Sequence, residues 1–508
     1  MTWTRTHTTA VILFGGLALF YMAFSSGSIA GQGYTGEEIE SGLHMLTAAT
    51  AWMKGHPVPP MTWSRHGPLP VLFDLPFLKL GKRLVSPDFV LSFEPSLLTA
   101  VLLAILYLWL RKVCSAPIAL FLTFTAAFGT MLWPYAYIGL ETKQSLFVFL
   151  AGYLALANGR IHNWARVVLF GLSCGLALAL KSNGIVLWPV VAYLIYIQFW
   201  ERWRSQRVQL ITIVALVVLI CVLGSWGRSF YWGPLGGTKS FRLWLIDSPL
   251  QFYTNAVGVF GSPTKGLFVY APILLLSVFA LPKVFRTDRP IAVFTLLVTG
   301  CTVLFISLFR TTADETWGER YLHVAVAPLI LCIGYAWPRF AWRKHVPAII
   351  LAGIGICVSF LGAFYYYGIL DRAAKEAGQN TMEWMAGDQT WNPVLFNARL
   401  FQVWVSDGSA APVLWTPVHI WVWTPPPNAP PWKSINLKDY CQPQSFMLQF
   451  WHLPKSGVVL RIFSFYVLWL VLGILLLSWT IVSTAKEQAI KIDRVLRAES
   501  RDVRITAS

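Results

Sequence analysis

Charge is what this chain has least of: Asp, Glu, Lys and Arg together make up 12% of 508 residues, against 56% apolar residues. Soluble globular proteins carry about a quarter of their residues as charges, so a water-soluble enzyme of this length is excluded. The mean hydropathy of +0.57 fits a chain that crosses a membrane many times. Acidic residues are the scarcer sign, 23 against 40 Lys and Arg, for a net charge of +17. In so apolar a chain this excess points to cytoplasmic loops and anionic headgroups rather than to nucleic acid. Cysteines number only seven. Six lie in or beside apolar runs, Cys441 sits in a long polar loop, and there is no CxxC pair, so neither a disulfide framework nor a zinc ribbon is written here. Internal repeats, a Walker motif and a Gly-rich dinucleotide loop are missing too.

Long apolar runs and aromatics are what is there, with 25 Trp and 18 Tyr suited to interfacial belts. About twelve spans are expected: 9–26, 90–110, 116–133, 142–158, 165–181, 184–200, 208–227, 266–282, 290–309, 321–338, 346–369 and 458–483. The first has an Arg5 flank but no A-x-A-like cleavage site, and is expected to be a retained signal-anchor. With the N-terminus placed in the cytoplasm, every inside connection is basic. These hold Arg111 and Lys112; Arg160 and Arg166; Arg202, Arg204 and Arg207; Lys283, Arg286 and Arg289; Arg339, Arg343 and Lys344; and the tail from Lys486 to Arg504. This is a positive-inside pattern. The fold class is therefore an all-α polytopic membrane protein. Outer segments 27–89 and 228–265 belong to a transmembrane region 1–369, with amphipathic stretches expected to lie along the membrane surface. Segment 370–457, with its stiff "WTPPPNAPPW" run, is expected to form a small irregular cap, followed by a last span at 458–483 and a basic cytoplasmic tail at 484–508.

The same topology sends a set of ionisable residues to the outer face. Glu37, Glu38 and Glu40 follow the first span in "GYTGEEIESG"; Glu141 lies between spans three and four; Lys181 breaks a long apolar stretch at "KSNG"; Asp314, Glu315, Glu319 and Arg320 precede span ten. Ionisable groups at membrane level are costly and tend to be functional or paired. Carboxylates suit general-base work on a hydroxyl and a lysine suits a phosphate. The bland readings are a first-turn helix stabiliser for Glu37 and Glu38, a Glu141–Lys143 pair, a snorkelling Lys181 and a local salt-bridge set around Arg320. His44, His56, Arg65 and His66 lack metal-ligand spacing.

In order and spacing, several stretches together resemble the GT-C membrane glycosyltransferases that use polyprenyl-phosphate sugars, the branch of the protein O-mannosyltransferases and the lipid A aminoarabinose transferase. These are "GYTGEEIESG…AWMKGHP", "WSRHGPLPVLFDLPFLKLGKRL", "GTMLWPYAYIGLETKQSLFVFLAGYLAL", "GLSCGLALALKSNGIVLWPVVAYL", "GVFGSPTKGLFVYAPILLL" and "WGERYLHVAVAPLIL". The resemblance covers most of the chain and implies a GT-C fold with periplasmic juxtamembrane helices. It implies an inverting transfer of a monosaccharide from a polyprenyl-phosphate carrier to a hydroxyl of a glycan, glycolipid or protein, at the outer face of a bacterial inner membrane. It implies that Lys181 meets the carrier phosphate, with Arg320 and Lys265 as further phosphate ligands. A first-loop Glu is the implied base, Glu38 ahead of Glu37 and Glu40, and Glu141 orients hydroxyls or shares that role. No metal and no cofactor are implied. The departure is that the family's first-loop acid is normally Asp. The "TGEE" context favours Glu37 or Glu38, whereas counting back from Gly55 gives Glu40. Two other classes stay open: a transporter or flippase of lipid-linked sugars, and a non-catalytic scaffold with a GT-C-like body.

Overall fold

The computed structural model describes residues 4–25, 68–84, 87–137, 139–157, 163–243, 246, 248–308, 318–337, 345–365, 393–405 and 457–506. Among them there is no strand; the chain is a bundle of helices. The principal ones are α1 Arg5–Phe24, α2 Pro68–Leu84, α3 Glu94–Val113, α4 Ala116–Phe128, α5 Gly139–Gly152, α6 Trp164–Ala179, α7 Trp188–Phe199, α8 Arg207–Leu243, α9 Pro249–Gly261, α10 Leu275–Thr287, α11 Arg289–Ser307, α12 His323–Ala336, α13 His345–Phe364, α14 Pro393–Val405 and α15 Gly457–Thr506. Among the described residues, six helical segments are long and apolar enough to cross a membrane: Arg5–Phe24, Phe89–Val113, Arg207–Ser225, Arg289–Ser307, His345–Phe364 and Phe463–Ala489. Shorter apolar helices lie at Ala116–Phe128, Trp164–Ala179, Asn183–Phe199 and Arg320–Ala336.

At the centre stands α12, apolar all round, with every residue except Tyr335 buried. A helix without a polar face has no side to give to water and is stable only when surrounded; α3, α4, α5, α10 and α11 surround this one. The outer helices do the opposite. On α8, Val208, Ile211, Val214, Val218 and Val222 are exposed together, a continuous apolar stripe that suits hydrocarbon and not water. Between α1 and α15 the backbones approach closely because glycines face each other. A Cβ on Gly473 would stand 2.9 Å from the Phe20 amide nitrogen, and one on Gly16 would stand 2.9 Å from Leu477 Cδ2. Small residues let membrane helices gain dispersion contacts that lipid would otherwise compete for. Tyr21 then ties α1 to the end of α4, its hydroxyl donating to the Ala127 carbonyl at 2.9 Å.

Two helices run on beyond the spans expected at 208–227 and 458–483. α8 continues to Leu243 and α15 to Thr506. In α15 hydropathy ends before helicity does, because Ala, Lys, Glu and Arg are strong helix formers. In α8, Gly and Pro after Ser225 raise the helix's cost by about 1–3 kcal/mol each without forbidding it. The amphipathic stretch expected in segment 228–265 is helical over Pro249–Gly261, with Leu250, Tyr253 and Val257 exposed. Of segment 370–457, the described residues are α14 and Gly457, the first residue of α15.

The bundle has two chemically different ends. Lys112, at the end of α3, donates to the carbonyl of Ala157, just past α5, at 2.7 Å. Lys283 of α10 reaches the carbonyl of Ala336 at the end of α12 at 3.4 Å. Both contacts lie at the end where the basic connections gather. The starts of α5 and α12 lie at the other end, about 21 Å away for helices of 14 residues.

Candidate active site

Three turns bring ionic side chains together at that other end. Glu141 sits in the first turn of α5, where a carboxylate complements the helix dipole. The turn before it is held by Thr142, whose hydroxyl donates to the Tyr135 carbonyl at 3.0 Å. Lys181 follows α6 in extended backbone and precedes a short 3-10 turn, Ser182–Leu187. The break works because of Gly184: its amide donates to the Lys181 carbonyl at 2.9 Å, and any Cβ there would collide with the carbonyls of Leu178 and Ala177. Arg320 comes from the strand-free turn before α12. Gly318 takes φ +64° there with its face against the Tyr270 ring, a conformation and a clearance that favour glycine. Glu319 accepts from the Tyr321 amide at 3.5 Å and so caps that turn.

Glu141 is the hub. Its Oε1 accepts from Lys181 Nζ at 2.5 Å and lies 3.9 Å from Arg320 Nε. Both cations also rest on one aromatic face: Lys181 Nζ is 4.6 Å and Arg320 Cζ 4.9 Å from the Tyr321 ring centroid. The Arg320 guanidinium donates to the Tyr321 hydroxyl at 3.1 Å. Glu141, Lys181 and Arg320 are buried, with Lys181 at 3% and Glu141 at 4% exposure, and Tyr321 is partly buried. Burying an ion pair costs several kcal/mol of desolvation per ion, which its mutual attraction offsets only in good geometry. A stability role alone would be served as well by apolar side chains. A cluster holding two cations near one carboxylate carries a net positive charge and suits an anion instead.

Lys265 is buried as well and donates to the Gly318 carbonyl at 3.4 Å, which braces the turn that carries Arg320. Thus the structure brings Glu141, Lys181 and Arg320 into one cluster with Lys265 supporting its rim. Glu37, Glu38 and Glu40 lie outside the described residues, as do Asp314, Glu315 and the histidines at 44, 56 and 66. A narrow recess lined by Gln144, Asn183, Leu187, Thr302, Phe305 and Tyr321 opens beside the Tyr321 ring, between α5, α11 and α12.

One simple pairing is corrected. Glu141 does not pair with Lys143; residues two apart on a helix face opposite sides. Lys143 turns toward α2 and α3, where its ammonium lies 2.6 Å from Asp74 Oδ1 and 3.3 Å from Glu94 Oε1. These three side chains are all buried. Burial pushes the Asp74 carboxyl above the usual carboxylate range, with the Lys143 ammonium pulling back only in part. Neither Asp74 nor Glu94 stands out in the sequence, since each is a single acid beside apolar residues, and Ser145, Tyr321 and His323 are single polar side chains at the start of apolar helices with no pattern that singles them out. The available signal was spacing: Glu141 and Ser145 are four apart and share the face turned to α12.

No family model matches the chain, and no curated protein matches it. Among solved structures it is similar to ArnT from Cupriavidus metallidurans bound to undecaprenyl phosphate, at 13% identity over 94% of this chain and 78% of that one, with a TM-score of 0.48. It is similar as well to apo ArnT from the same organism, at 16% identity over 93% and 77% of the two chains, with a TM-score of 0.47.

Proposed function

We propose that the chain is an inverting glycosyltransferase that moves a monosaccharide from a polyprenyl-phosphate carrier to a hydroxyl acceptor at the outer face of the membrane. The observation that carries this reading is the buried Lys181–Glu141–Arg320 cluster with Tyr321, at the end of the bundle opposite the basic connections. The resemblance of the surrounding stretches to the GT-C enzymes supplies the reaction class.

The chemistry follows from the charges. The carrier lipid lies among the apolar helices, and its phosphate meets the Lys181 ammonium and the Arg320 guanidinium, whose combined positive charge exceeds the single negative charge of Glu141. The acceptor oxygen attacks the anomeric carbon from the side opposite the phosphate. The bond from that carbon to the phosphate oxygen breaks, and its electron pair leaves with the phosphate. A first-loop glutamate, Glu38 ahead of Glu37 and Glu40, takes the acceptor proton. Glu141 keeps both cations in register, so it positions them rather than acting as base. Preorganised cations aimed at the departing charge account for a large part of the acceleration in such sites. The reaction needs no metal in this reading.

The test is direct. Purified protein in proteoliposomes is given radiolabelled polyprenyl-phosphate sugars and a membrane extract as acceptor source. Label is expected to leave the lipid and appear on an acceptor. Label that stays on lipid while the lipid changes leaflet would establish a flippase and overturn the proposal.

A further inference from the structure

His323 opens α12 inside the site just described, and it is 1% exposed. Its Nδ1 lies 2.6 Å from the Ser145 hydroxyl on α5. Its ring stands edge-on to Tyr135 at 5.2 Å between centroids. Its other nitrogen, Nε2, is buried and has no hydrogen-bond partner among the described residues. Buried polar atoms of that kind are rare and call for a missing water or ligand.

Ser145 decides which kind of partner Nε2 wants. A hydroxyl has one proton to give. Ser145 gives it back along its own helix, to the Glu141 carbonyl at 2.8 Å. The 2.6 Å contact then requires His323 Nδ1 to be the donor and Ser145 Oγ the acceptor. In a neutral imidazole this leaves the lone pair on Nε2. Nε2 is therefore an acceptor in want of a donor, and it points away from Ser145. A phosphate oxygen, itself an acceptor, does not satisfy it; a hydroxyl does.

We propose that His323 Nε2 accepts a hydrogen bond from a hydroxyl of the sugar carried on the lipid phosphate, with Ser145 as the positioning residue that fixes the tautomer. The proposal rests on the reading of the site as one for polyprenyl-phosphate sugars. It makes His323 the element that distinguishes the loaded carrier from the empty one, a task the cation cluster does not perform because both lipids bear phosphate.

Two measurements test it. The first is nitrogen-15 NMR of histidine-labelled protein in nanodiscs, with His323→Gln assigning the resonance. The expected state at neutral pH is a protonated Nδ1 and an unprotonated Nε2, turning into a mixture of tautomers in Ser145→Ala; a protonated Nε2 in the unsubstituted protein overturns the proposal. The second is native mass spectrometry of binding to the polyprenyl-phosphate sugar fraction of the source membranes, compared with the same fraction stripped of sugar by mild acid. His323→Phe is expected to weaken the sugar-bearing lipid about tenfold, the size of one buried hydrogen bond, and to leave the stripped lipid unchanged. His323→Gln, which keeps an acceptor, is expected to retain most of the preference. Equal binding of both lipids by the unsubstituted protein, or an unchanged preference in His323→Phe, overturns this inference and leaves the glycosyltransferase reading standing. Failure of the unsubstituted protein to bind either lipid overturns that reading and this inference with it.

Discussion

Removing the Lys181 ammonium while keeping its length, as in Lys181→Met, leaves the Glu141 carboxylate buried and facing Arg320 at 3.9 Å. Removing the carboxylate while keeping its shape, as in Glu141→Gln, leaves two cations against one aromatic ring. At an effective dielectric of about 20, the 2.5 Å contact is worth about 7 kcal/mol of gross attraction and the 3.9 Å contact about 4 kcal/mol. Desolvation cancels most of this in the intact protein, so the net cost of breaking the pair from one side is about 3–5 kcal/mol. Each single substitution should therefore destabilise the protein by that amount. The double variant leaves no uncompensated carboxylate–ammonium partner, and it should lose much less than the sum, with a coupling of about 2–3 kcal/mol. The assay is unfolding in mixed detergent micelles followed by tryptophan fluorescence. The two singles separate again in ligand binding: Lys181→Met should lose polyprenyl phosphate, whereas Glu141→Gln should bind it more tightly, because the lipid phosphate takes the place of the missing carboxylate. Additive destabilisation, or loss of phosphate binding in Glu141→Gln, would refute the reasoning that these charges form one anion site.

Other outcomes follow from the same structure. In the Asp74–Lys143–Glu94 cluster two carboxylates share one ammonium, so Asp74→Asn should be mild. Lys143→Met should cost about 3–5 kcal/mol, both read by the same unfolding assay. Gly473→Leu, which drives a side chain into the Phe20 backbone, should weaken the α1–α15 contact by about 1–3 kcal/mol and lower thermal stability without changing lipid-phosphate affinity. Sugar transfer should survive prolonged EDTA treatment undiminished; loss of transfer that added zinc or magnesium restores would place a metal in the reaction.

Much of this was legible because membrane helices announce themselves by hydropathy and their connections by charge. The break at "KSNG" and the convergence of Glu141, Lys181 and Arg320 followed from helix order alone. Partners inside the cluster did not follow, because they depend on rotation about each helix axis. Lys143 stands two residues from Glu141 and yet belongs to a different cluster on the opposite face of α5. His323 looked like one more residue of an apolar run; its meaning came only with Ser145 opposite. The spans expected at 208–227 and 458–483 match the apolar segments Arg207–Ser225 and Phe463–Ala489, yet α8 and α15 run on past them, because hydropathy marks where lipid stops, not where the backbone stops being helical.

The most direct test of the central claim is the affinity of the purified protein for polyprenyl phosphate, measured for the unsubstituted chain and for Lys181→Ala in the same nanodiscs. The account predicts saturable binding that falls at least about a hundredfold on losing the ammonium, the size expected for a charge-assisted contact to phosphate of about 3 kcal/mol. Equal binding by the two proteins would contradict it.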